Sequence, residues 1–180
     1  IIIMLIGATL AMLGTVVKSS LLFLFVKNKP LNWDTSNYGY FLALTFAISG
    51  TALCILPIIN YLFDVKLKET IMAMLGVSSR GLGLAAIGIS STTTMAFSCS
   101  VLFIFSEYTL PALRSLLSKL IHADERGKIF AFLACLQNIC FFIGGIAFNS
   151  IYQHSVKNDY FTGLSFEIVA AFQIIAFVLF

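Results

Sequence analysis

The sequence predicts an all-α, polytopic membrane protein with about six transmembrane helices. Composition is the first ground: 59% of the 180 residues are hydrophobic and only 11% are charged. A soluble domain carries roughly 25% charged residues because its surface must be solvated. Patterning is the second. The mean hydropathy is +0.99, and the apolar residues gather into runs close to the ~20 residues that cross a ~30 Å hydrocarbon core. The third is the shortness of the polar breaks between runs, which show neither β alternation nor a soluble amphipathic period. Lipid or other protein must therefore surround most of these side chains, an environment that suits 18 phenylalanines packing by dispersion.

The first run extends from about Ile2 to Val26 and is interrupted only by Lys18. The break from Lys27 to Asn37 holds Pro30 and an interfacial Trp33, and the second run follows from about Tyr38 to Leu62. A tight turn from Phe63 to Glu69 leads into a glycine-rich third run, about Thr70 to Ile89, which contains Arg80. Ser90 to Thr94 makes a short turn. The fourth run, about Met95 to Leu117, holds Glu107, Pro111 and Arg114. Ser118 to Lys128 is the most charged stretch of the chain. The fifth run spans about Ile129 to Ser150, Ile151 to Gly163 is polar and aromatic, and the sixth run takes the remainder. Tyr152 and Tyr160 are expected at the membrane interface. The chain opens at Ile1 and closes at Phe180 within apolar runs, so both ends are expected to be cuts through helices of a longer protein.

Loop charge orients the spans. Lys66, Lys68, Lys119, Arg126 and Lys128 fall on one side, Lys27, Lys29 and Lys157 on the other, so the first side is expected to be cytoplasmic. The same composition limits function. The net charge is +3 with basic residues scattered singly, which excludes the clustered footprint of a nucleic-acid partner. The opening stretch lacks the basic n-region and cleavage site of a signal peptide. Cys54, Cys99, Cys135 and Cys140 sit in apolar segments without CxxC spacing, which favours buried, inert thiols over disulfides or metal ligands. No HExxH, phosphate-binding loop or nucleophile–base set is present. The chain is therefore not expected to be an enzyme or to hold a cofactor or metal, and any pumping would be driven by a gradient. Gly81 to Ala86 spells GxGxxA, but it lies inside an apolar run, where small residues let helices approach closely; packing is the better reading.

Intramembrane charge is the functional signal. A charge at the bilayer centre costs ~2.5–3.5 kcal/mol on insertion scales, so Lys18, Arg80, Glu107 and Arg114 should each face a cavity or a partner. Glu107 and Arg114 are expected two helical turns apart on one face, with Pro111 between them freeing a carbonyl and loosening the helix. Lys18 shares its face with Thr15, Leu22 and Phe25. Arg80 is expected to pack or pair.

The loop Pro30 to Asp34 (PLNWD) with Gly39 and Tyr40, the block Ala112 to Leu120 (ALRSLLSKL), then Glu125, Gly127, Phe130, Ala134 and Cys135, and finally Phe148 to Tyr152 (FNSIY) follow one another in an order that covers nearly the whole chain. In that order and spacing the chain resembles the proton-coupled folate transporter and heme carrier family, solute carrier family 46 of the major facilitator superfamily. The resemblance aligns with the family's C-terminal six-helix half. It implies a twelve-helix fold with a midplane site between two pseudo-symmetric halves, with the N-terminal half missing from this chain. It implies a small-molecule substrate moved by alternating access, protons as coupling ions, and residence in a plasma or lysosomal membrane. It further implies that Arg114 lines the central cavity and serves substrate and proton coupling. A coupling His of folate-type members falls at Thr15 here, one turn from Lys18. An outer-end Tyr falls at Phe25, and a cavity aromatic of the second helix falls at Ser49. The expected function is secondary transport of a small organic anion, with Arg114, Glu107, Lys18, Thr15 and Phe25 as substrate and coupling residues. A receptor or scaffold that kept the fold and lost transport is the alternative.

Overall fold

The computed structural model describes residues 2–28, 31–63, 68–158 and 162–180, and every regular element among them is helical. Lys29, Pro30, Lys66 and Tyr160 lie outside the described residues, as does most of the expected turn before Glu69. Helices α1 (Ile2–Ser20) and α2 (Leu22–Lys27) make one apolar span with a step at Leu21. Leu21 keeps the ladder nearly intact, its N–H bonding the Val17 carbonyl at 3.1 Å and its carbonyl accepting from Phe25 at 2.9 Å.

The polar break then folds back on the span. Asn32 adopts a left-handed φ of 47°, a region Asn tolerates better than most residues, and Trp33 N–H donates to the Val26 carbonyl at 2.8 Å. Trp33, expected at an interface, is instead buried. Its indole N–H donates to Thr93 Oγ1 at 2.9 Å, and its ring lies 5.2 Å from that of Phe97 and 5.7 Å from that of Phe41. A buried indole needs such an acceptor, and here the start of another helix supplies it. Tyr152 is likewise buried rather than facing the interface. Its hydroxyl donates to the Leu24 carbonyl at 3.2 Å and accepts from Asn28 Nδ2 at 2.8 Å.

Helices α3 (Thr35–Phe63) and α4 (Glu69–Ile89) follow. The fourth apolar run is broken. It comprises α5 (Thr93–Cys99), 3-10 turns at Ser100–Phe103 and Ser106–Tyr108, and α6 (Thr109–Leu120), its two limbs meeting at 41°. The break precedes Pro111, which occupies the first turn of α6, where a missing N–H costs no helical bond. The expected proline-loosened helix interior is therefore corrected to an interruption just ahead of the proline. After a 3-10 turn at Ala123–Glu125 come α7 (Arg126–Lys157) and α8 (Leu164–Leu179). Among the described residues four helices are long and apolar enough to span a membrane, five if the bent pair is one span. Helix α8 has 16 residues, about 24 Å of helix, short of the ~30 Å core.

Helix α8 lies against both α1 and α4; α1 also packs on α7, and α4 on α6 and the 3-10 turns. Glycines permit these approaches. A methyl group at Gly83 would stand 2.7 Å from the Phe103 ring, one at Gly81 2.9 Å from Gln173 Cβ, and one at Gly76 2.8 Å from the Thr109 amide nitrogen. The Gly81 to Ala86 stretch is thus a packing surface inside α4, with helix on both sides of it. In contrast, in the most apolar 18-residue stretch of each helix only 22% of residues are buried within Thr35–Ile55 and 17% within α7, against 56% within α4. Helices α3 and α7 therefore present broad faces to lipid or to another protein body. All four cysteines are free; Cys99 is buried, Cys140 half-buried, and Cys54 and Cys135 are exposed, so burial does not describe the whole set.

Candidate functional site

Thr15, Lys18 and Ser19 follow at i, i+3 and i+4 on α1 and so share one face of the helix. That face meets α3 and the broken fourth run around a cavity of about 260 Å³ lined by Thr15, Lys18, Ser19, Tyr38, Leu42, Phe46 and Glu107. Lys18 Nζ lies 3.0 Å from Glu107 Oε1, with the lysine side chain 8% exposed and the glutamate 35%. The ammonium also stands 4.9 Å from the centre of the Phe103 ring and 5.5 Å from that of Phe46, close enough for cation–π attraction on two sides. Such surroundings answer the cost of an intramembrane lysine, which requires a partner or a wet cavity.

Behind the pair sits Arg80, only 2% exposed. Its Nη1 donates to Thr15 Oγ1 at 2.9 Å and to the Ala11 carbonyl at 3.2 Å, and its Nη2 donates to the Ser106 carbonyl. The neighbouring Ser79 donates to the Leu102 carbonyl and accepts from the Phe105 amide at 3.2 Å. Backbone groups freed by the helix break have no water to turn to in a bilayer, so they need protein partners. Consecutive side chains of α4 supply them. The break in turn releases Glu107 from a regular helix and presents its carboxylate to α1. Among the described residues the site therefore holds two cations, Lys18 and Arg80, against one carboxylate, Glu107, a surplus of one positive charge.

Lys18, Glu107 and Thr15 are thus brought together, as candidate residues read from sequence, while Arg114 and Phe25 are placed elsewhere. Arg114 is exposed on α6 and makes no hydrogen bond or ion pair among the described residues. The expected common helical face for Glu107 and Arg114 does not exist, because Glu107 belongs to a 3-10 turn and its partner is on α1. Phe25 is buried with its ring edge-on to Phe166 at 5.0 Å. Ser49 is buried and bonds the Thr45 carbonyl at 2.9 Å. Sequence reasoning did not name Ser19, Tyr38 or Arg80 as site residues. Ser19 was available from the stripe it shares with Thr15 and Lys18, and Arg80 from its charge; nothing local marks Tyr38.

Two other cavities carry no charged side chain. One of about 240 Å³ lies between α4 and α8 and is walled by Leu82, Ala85, Gln173 and Phe177 among others. The other, about 260 Å³, lies between α1 and α7 beside Leu13, Ile139 and Phe148. Among the described residues no group of three or more His, Cys, Asp or Glu side chains could hold a metal ion.

No family model matches the chain. It is 34% identical to the lysosomal proton-coupled steroid conjugate and bile acid symporter of Gallus gallus, aligned over 85% of this chain and 32% of that protein. It is 27% identical to solute carrier family 46 member 2 of Canis lupus familiaris over 94% of this chain and 33% of the relative. Against the proton-coupled folate transporter of Rattus norvegicus the identity is 28%, over 73% of this chain and 28% of that protein. The chain spans about a third of the length of the curated relatives it matches. Three differently named members of solute carrier family 46 align along most of its length, and it is to this family that the chain is similar.

Proposed function

We propose that this chain is the C-terminal six-helix half of a twelve-helix secondary carrier that moves a small organic anion together with protons by alternating access. The observation that carries this reading is the Lys18–Glu107 pair, which places a cation and a titratable carboxylate on the wall of one cavity. A surplus positive charge in a low-dielectric site favours an anionic solute. The relatives' substrates fit that chemistry, since bile acids and folates carry carboxylates and many steroid conjugates carry sulfate. In this reading Lys18 and Thr15 contact the solute, Glu107 takes the proton, and Arg114 meets an anionic group of the solute or an acidic side chain of the other half. Phe25 shapes the outer end of the pathway through packing. The poorly buried faces of α3 and α7 are where the N-terminal half and lipid would lie. Residence in a lysosomal or plasma membrane follows from the same kinship.

The test is uptake of radiolabelled estrone sulfate by proteoliposomes that hold the full-length carrier, with the pH gradient imposed. Saturable uptake driven by the gradient is the expected result, and liposomes holding this chain alone should show none, because the pathway lies between two halves. Absence of saturable uptake by the full-length protein under every gradient would return the chain to the receptor or scaffold reading.

A further inference from the structure

We infer that Lys18 and Glu107 form an exchangeable pair: the anionic head of the solute replaces the Glu107 carboxylate on the Lys18 ammonium, and the displaced carboxylate takes up the cotransported proton. This rests on the carrier reading above and specifies how its two ligands are coupled.

The two members of the pair are not equivalent. Lys18 is enclosed by Phe46 and Phe103 and is 8% exposed, while Glu107, 35% exposed, is the more open member. Of the three donors of the ammonium, Glu107 takes one, and among the described residues the others meet ring faces rather than an oxygen acceptor. A carboxylate or sulfate entering the cavity can therefore bind Lys18 first and then complete the exchange. The hydroxyls of Thr15, Ser19 and Tyr38 line the same space and can hydrogen-bond its remaining oxygens. Arg80 cannot take part in such an exchange. It does not line the cavity, and its two terminal nitrogens are engaged by Thr15 and two backbone carbonyls. It acts as a fixed positive charge behind the pair.

The groups facing Glu107 are Lys18 from α1, Tyr38 across the cavity from α3, Arg80 from α4 and Ser106 in its own turn, the last donating at 3.3 Å. Among the described residues Lys18 is the one cation in direct contact. A carboxylate that loses its adjacent cation in a partly desolvated site binds protons more readily. The exchange balances. Before it, two cations face one carboxylate; after it, two cations face one bound anion and a neutral carboxylic acid. One proton enters with each solute bound, and for a monoanion the charge of the site is the same in both states. Transport of a monoanion is therefore electroneutral.

Full-length carrier in proteoliposomes with estrone sulfate, a monoanion, tests this. Wild-type uptake should rise by up to about tenfold per pH unit by which the outside is more acidic than the lumen, since one proton binds with each anion. It should not respond to a potassium-diffusion potential set with valinomycin. Glu107→Gln removes the proton acceptor and leaves Lys18 in place, so uptake should lose its pH dependence and become sensitive to the imposed potential. Glu107→Gln uptake that stays proton-driven and insensitive to potential overturns the exchange and leaves the carrier reading standing. No wild-type uptake of estrone sulfate overturns both. Should Glu107→Gln fail to reach the membrane, proton uptake by purified wild-type protein in weakly buffered detergent decides the matter. About one proton bound per estrone sulfate bound is expected, and none overturns the exchange.

Discussion

Arg80 on α4 donates a hydrogen bond to Thr15 on α1 at 2.9 Å, joining residues 65 positions apart, while its other terminal nitrogen bonds the Ser106 carbonyl at the helix break. One buried side chain thus ties three elements together directly behind the Lys18–Glu107 pair.

Arg80→Ala should lower abundance and thermal stability above all. Each hydrogen bond to a charged donor contributes about 1.5–3 kcal/mol, and the substitution leaves buried carbonyls without a donor. Arg80→Lys keeps the charge but has no planar fork to reach Ala11, Thr15 and Ser106 at once, so it should recover only part of the loss. Melting in detergent and surface biotinylation measure both. A stable, abundant Arg80→Ala protein would show that the network does not hold the bundle.

Lys18→Ala and Glu107→Ala should each destabilise the protein by about 1–3 kcal/mol, the cost of stranding one partner of a partly desolvated bond. The double variant should be more stable than the sum of the two singles implies, because it leaves neither charge alone. A double-mutant cycle on detergent melting reads the coupling. Strict additivity would mean that the 3.0 Å contact contributes nothing.

Among the described residues Arg114 is exposed and has no hydrogen-bond or ion-pair partner whose loss could unfold the chain. Arg114→Ala should therefore reach the surface at near-wild-type abundance while uptake per molecule falls severely. A desolvated charge pair that loses one member costs ~2–5 kcal/mol, which is a loss of thirtyfold or more in affinity at the low end. Arg114→Lys should restore part of it. Unaltered uptake per surface molecule in Arg114→Ala would assign the residue to the membrane interface alone.

Gly76→Ala places a methyl 2.8 Å from the Thr109 backbone nitrogen, which cannot move without shifting α6. It should destabilise by about 1–3 kcal/mol, as overpacking does. Gly39→Ala meets nothing within 4 Å and should be tolerated. Comparing the two melting curves separates a steric effect from a general intolerance of glycine replacement.

Glu69 at the start of α4 and Lys119 at the end of α6 form an ion pair, which puts the ends of the third and fourth runs on the same side. Single cysteines in the turn before Glu69 and in Ser118 to Lys128, in a background lacking the native four, should resist impermeant thiol reagents applied to intact cells expressing the carrier at the plasma membrane. Labelling of both from outside would invert the topology.

The membrane class, the apolar runs and the short breaks were legible in the sequence because they depend on composition summed over some twenty residues. Lys18 and Glu107 stood out for the same reason, as charges that lipid cannot solvate. Their partnership was not legible. They are 89 positions apart, and nothing local to either encodes the other. The sequence pattern instead paired Glu107 with Arg114, an inference that holds only while a helix is continuous. Tertiary structure decided otherwise: Ser79 and Arg80 satisfy the backbone of a broken helix, and that satisfaction lets the break exist and turns Glu107 toward α1. Trp33 and Tyr152 divided the same way, since an aromatic ring with a polar tip suits an interface and a buried corner equally well. The acceptors at Thr93 and Leu24, supplied by distant parts of the chain, put both in the core. Short-range hydropathy thus determined what spans the membrane, and hydrogen bonds between helices determined which charges meet.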